Sequence, residues 1–147
     1  MKPYLIFCFL FFGVLLSSKA QVSVGVYKSS VFTHLGVGTD PEKKYFGEVR
    51  LFAGDWLNNY FGAELIGQRN FTQTAWYNFS AGLLLGYHEF SDASIGVPTF
   101  FSVKPIQANT NLSLILEATP FVAFGNIGGS FNLRGSIGVR YFLRKQE

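Results

Sequence analysis

The sequence predicts an all-β fold: an up-and-down, antiparallel transmembrane β-barrel of eight strands. Three observations carry that expectation. Apolar and polar side chains alternate with period two through most of the chain, so segment after segment has one greasy and one polar face. Several of these segments run about 9 to 14 residues, longer than the roughly 5–6 common in soluble sheets and suited to a tilted bilayer crossing. The polar faces are rich in Ser and Gly and carry charges of both signs, which fits a narrow lumen better than a water-facing surface.

Met1-Lys2-Pro3 leads into an apolar run from Tyr4 to Leu16, then Ser17-Ser18-Lys19-Ala20. A basic start, a short apolar stretch and a small residue at the end make a secretory signal peptide. The run is shorter than the roughly 20 residues a spanning helix needs. Cleavage is expected after Ala20, giving a signal peptide over 1–20 and a barrel domain over 21–147. Cys8 and Met1, the lone cysteine and methionine, leave with it, so the mature chain has no disulfide or thiol chemistry. Lys2 and Lys19 leave too, so 10 basic side chains face 9 acidic ones. A net charge near +1 gives no electrostatic case for nucleic acid. Beyond residue 20 no stretch is apolar over 18 residues, so no transmembrane helix is expected.

Val22 to Tyr27 alternates with its valines on one face. Val31 to Gly38 alternates in the opposite phase, which implies either a tight turn between two strands or a bulge in one long strand. Thr39 to Lys44 carries Asp-Pro turn chemistry. Strands are then expected over Tyr45 to Ala53 and Tyr60 to Arg69, separated by a loop over Gly54 to Asn59. Thr72-Gln73-Thr74 is expected to turn the chain. Ala75 to His88 follows, with Tyr77 and Tyr87 near the two ends of its apolar face, the pattern of an aromatic girdle at two membrane interfaces. After a turn at Ser91-Asp92-Ala93, the segment Ser94 to Lys104 contains Pro98, which lacks a ladder donor and points to a bulge. Asn111 to Phe124 and Phe131 to Leu143 complete the set, joined through Gly125 to Gly129.

Alternation alone fits a soluble barrel as well, with the apolar face inward. The small, mixed-charge polar face and the scarcity of lysine favour the inverse arrangement, with the apolar face toward lipid. A strand structure in lipid must close, because every backbone N–H and C=O needs an internal partner. Eight strands give an interior filled by side chains, with no wide pore.

The Gly138-Val139-Arg140-Tyr141-Phe142 ending, the strand Phe46-Gly47-Glu48-Val49-Arg50-Leu51-Phe52 and the signal peptide together resemble small bacterial outer-membrane β-barrel proteins. The resemblance implies residence in the outer membrane, contact with its lipids, and insertion by the barrel assembly machinery, which reads an aromatic-rich final strand. Here Leu143 to Glu147 follow Phe142, whereas many members end on the aromatic. The family hosts many roles, so fold does not supply function.

Glu48, Arg50, Glu64, Lys104, Glu117, Arg134 and Arg140 fall on the inward face and are expected to form a structural ion network, since an unpaired buried charge is very costly. His88, with Glu89, Ser91 and Asp92 nearby in sequence, has the residue types of a lipid-trimming hydrolase but no specific spacing. His34 is expected to be an interior polar residue. Two histidines so far apart in sequence fall short of a metal site. Gly36-Val37-Gly38 and Gly125 to Gly129 lack the helix and the Lys-Ser/Thr of a phosphate loop. The expectation is a small integral barrel with a structural or interaction role and neither catalytic residues nor a cofactor. The alternatives are a secreted soluble barrel binding a small hydrophobic ligand and an outer-membrane lipid-modifying hydrolase.

Overall fold

The computed structural model describes residues 21–30, 32–53, 61–89, 92–125 and 128–143. The signal peptide at 1–20, the loop expected at 54–59, Ser91 and the tail after Leu143 lie outside these residues. Nine strand segments form one sheet: β1 (Val22–Ser29), β2 (Thr33–Gly38), β3 (Tyr45–Ala53), β4 (Gly62–Gln73), β5 (Tyr77–His88), β6 (Asp92–Gly96), β7 (Thr99–Val103), β8 (Leu112–Gly125) and β9 (Gly128–Leu143). β1 to β5 pair antiparallel in sequence order, β6 and β7 lie end to end between β5 and β8 and pair with both, β8 pairs with β9, and β9 returns to β1. The ring is therefore closed. β6 and β7 are two halves of one stave, so the nine segments make the eight-stranded barrel the alternation predicts.

Local chemistry sets the departures from simple alternation. Val22–Ser29 and Thr33–Gly38 are separate strands paired in a hairpin, from Ser23↔Gly38 to Lys28↔Thr33, which resolves the phase inversion as a turn. Lys28 is therefore a strand residue with an exposed, outward side chain, and Lys104 lies just past the end of β7. The turn expected at Thr72 to Thr74 comes later. Between Asn70 and Thr72 the register with β5 shifts, leaving Phe71 as the extra residue of a bulge. β4 thus runs to Gln73 and β5 starts at Tyr77, not Ala75. Pro98 interrupts its stave as its missing donor requires, while Val97 N still donates to Pro120 O at 3.0 Å and Gly82 N to Pro98 O at 3.0 Å. β8 and β9 pair down to Gly125↔Gly128, where Gly128 takes φ +107°, a conformation costly for any residue with a Cβ.

The facing is inverted relative to a soluble protein. Val24, Val26, Leu35, Val37, Leu51, Leu65, Leu83, Leu85, Leu116 and Ile137 are exposed on the outside. Tyr45 and Trp76 extend the apolar belt at the end of the barrel that holds the two chain termini, and Phe61, Tyr87 and Phe131 extend it at the other. Inside, Tyr27, Ile66, Leu84, Phe100 and Ile115 pack as an apolar layer with at most 1% exposure, so the waist of the barrel is filled.

The turn between β2 and β3 folds across the lumen at the termini end. Asp40 and Pro41 are buried there, and Asp40 Oδ1 accepts from Glu42 N at 2.9 Å. Asn70 Nδ2 donates to Pro41 O at 2.8 Å and to Lys43 O at 2.7 Å. Gln73 Nε2 donates to Glu42 O at 2.6 Å, and Asn78 Nδ2 to Glu42 Oε1 at 3.2 Å. One short turn is thereby tied to β4 and β5.

Candidate functional site

Glu48 and Arg50 sit two apart on β3 and so face the same way. Arg140 and Arg134 come from β9, Glu117 from β8 and Glu64 from β4. These six side chains form one chain of alternating sign: Arg140–Glu48 (2.6 Å), Glu48–Arg50 (2.5 Å), Arg50–Glu117 (2.6 Å), Glu117–Arg134 (3.2 Å) and Arg134–Glu64 (2.5 Å). It ties the β8–β9 wall to the β3–β4 wall. Three positive charges meet three negative ones, so the chain is neutral as a whole.

Further donors fill the carboxylates. Glu117 also accepts from Thr119 Oγ1 at 2.7 Å and Ser136 Oγ at 2.9 Å. Glu48 Oε2 accepts from the Tyr27 hydroxyl at 2.9 Å, and that hydroxyl accepts from Arg140 Nε at 3.0 Å. The Arg50 guanidinium lies 3.7 Å from the centre of the Tyr27 ring, a stacked cation–π contact. Tyr27 fits because Gly138 faces it: a Cβ there would stand 2.3 Å from the ring. Buried charges are tolerable when paired and hydrogen-bonded in this way.

Lys104 does not join this chain. Its ammonium pairs with Glu42 at 2.8 Å, at the termini end. The sequence places Lys104 on the inward face correctly, but its partner sits in a turn, where alternation gives no facing.

At the opposite end, the mouth, the two histidines meet one ring. His34 is fully buried with its centroid 4.4 Å from Phe52, and His88 stands 4.8 Å from the same ring. Phe32 packs on both Phe52 and His88, at 5.4 and 5.3 Å. Sequence separation hid this meeting. Among the described residues no group of three His, Cys, Asp or Glu is placed to hold a metal ion. Glu89, adjacent to His88 in sequence, instead accepts from Phe61 N at 3.1 Å and ties off the strand end. Beside this aromatic group lies a cup of about 490 Å³, bounded by Phe32, Phe52, His88 and Phe121 and floored by Glu64 and Arg134. No constellation named from sequence contains it.

No family model and no curated protein matches this chain. Among solved structures, the outer membrane protein Ail of Yersinia pestis, determined as a backbone structure in a phospholipid bilayer nanodisc, is similar in fold. The TM-score is 0.49, with 10% identity, over 84% of this chain and 97% of that one.

Proposed function

We propose that this chain is a small integral β-barrel of the bacterial outer membrane, exported by a cleaved signal peptide, with a structural or interaction role and a sealed waist. The single observation that carries the reading is the inverted facing: an exposed apolar belt outside, and six ion-paired side chains inside. In water that belt would be an aggregation surface far larger than soluble monomers present. In lipid it is solvated, and closure of the ladder through β1 and β9 over Ser136 to Leu143 gives the strands of the belt neighbours on both sides. The even number of staves puts both termini at one end, which is the periplasmic side when the chain enters from the periplasm.

Fractionation tests this directly. The mature protein belongs with the outer membrane and needs detergent for extraction; recovery as a detergent-free monomer would refute the reading. Leu83, exposed at the middle of β5, gives a second test. Leu83→Arg should destabilise the inserted barrel by about 2–4 kcal/mol, read by urea unfolding from lipid vesicles. Normal assembly of that variant in lipid would place the bilayer elsewhere. Mass spectrometry of the mature protein should find Gln21 as its first residue.

A further inference from the structure

We propose that the cup at the mouth is a binding site for a small neutral molecule with an aromatic body and a hydroxyl or amide at one edge. In the waist, inward positions carry large side chains, among them Tyr27, Arg50 and Phe100, which are at most 1% exposed. Toward the mouth the same inward registers carry Ser94, Ala123, Ser130 and Asn132. Small side chains where the barrel could be filled leave a void, and Phe32, Phe52 and Phe121 wall it. Its volume, about 490 Å³, lies in the range of small-molecule pockets, which are apolar with a few convergent polar groups.

The floor sets the charge of the occupant. Arg134 holds Glu64 through two bonds, Nη1–Oε1 at 2.5 Å and Nη2–Oε2 at 3.0 Å, so the pair is already matched. An anionic ligand would draw Arg134 from a carboxylate that is only 4% exposed, and a cationic one would draw Glu64 from its arginine. Either leaves a buried charge uncompensated. A neutral ligand leaves the pair intact. Arg134 Nε is buried without a hydrogen-bond partner among the described residues, so the polar edge of the occupant is met from the wall. Ser94, Ser130 and Asn132 add polar groups on the wall. The site is independent of which solvent meets the outer belt; only its orientation, open to the cell exterior, rests on the function proposed above.

The test uses the ¹⁵N-labelled mature protein refolded in detergent, with 2-naphthol as the probe. Saturable shifts should appear at the amides of Ser94, Ala123 and Ser130. 2-Naphthoate and 2-naphthylmethylammonium, which share the body but carry a charge, should bind at least about tenfold more weakly, as burial of an uncompensated charge demands. Ala123→Trp should abolish the shifts while the β spectrum and gel mobility of the folded barrel stay unchanged. If that variant does not refold, Ser94→Phe fills the same space from another stave. Shifts confined to belt amides and unaltered in the filled variant mean partition into detergent and overturn the proposal. So does a charged probe that binds as tightly as naphthol. A barrel that refolds and shows no cup shifts sinks the binding site alone, whereas a protein soluble without detergent sinks the membrane reading alone.

Discussion

At the termini end of the barrel, the β2–β3 turn lies across the lumen, held by Asn70, Gln73, Asn78 and Lys104. At the mouth, Ser94, Ala123, Ser130 and Asn132 are small, and among the described residues a cup remains beside Phe32, Phe52 and Phe121. Both ends are hairpin ends of the same sheet, so backbone topology does not distinguish them. Side-chain size and turn chemistry do. An Asx turn at Asp40 bends one hairpin inward, where long polar side chains can reach its carbonyls. The two ends therefore make separable contributions, one to closure and stability, the other to space.

The waist between them should show the largest effect. Arg50→Met leaves Glu48 and Glu117 buried with one cation fewer, and should cost about 3–5 kcal/mol, measured by urea unfolding in detergent or lipid. A loss under about 1 kcal/mol would mean that water enters the lumen and solvates the carboxylates. Gly138→Leu should follow, because even a Cβ there meets the Tyr27 ring. Overpacking of this kind costs about 1–3 kcal/mol, and Tyr27 must move away from Arg140 and Glu48. At the termini end, Asn70→Ala removes the donor to two carbonyls of the inward turn. The expected loss is about 1–3 kcal/mol, accompanied by faster amide exchange over residues 40–44. Mouth variants give the smallest response: Ser130→Ala and Asn132→Ala should leave stability within about 0.5 kcal/mol. Equal losses at the two ends would erase the contrast.

Much of the barrel was legible because period two is a direct consequence of strand geometry. The outward faces and the inward charges follow from it. Partners across the lumen do not follow. Whether Arg134 meets Glu64 or Glu48 depends on stagger between staves, which no single strand records. The bulge at Phe71 was hidden because its one-residue shift looks, in sequence, like the end of alternation at Arg69. The cup left a faint trace. Ser94, Ser130 and Asn132 read as strand ends beside turns, although the change from large to small inward residues toward one rim could have signalled a void. The approach of His34 and His88 to Phe52 was invisible, because it joins three strands at one height.

The second half of β9 pairs with the whole of β1, from Val22↔Leu143 to Ser29↔Ser136, and the Arg140–Tyr27 hydrogen bond spans 113 residues of chain. Such a seam has a temporal meaning. The first strand has no permanent neighbour on one side until the last has been made, so the barrel cannot be assembled piecemeal as the chain emerges. Until then, β1 offers an open edge to any passing strand, a recognised route to aggregation. Pairing of Ser136 to Leu143 with the first strand removes that edge and turns an adhesive polymer into a finished ring.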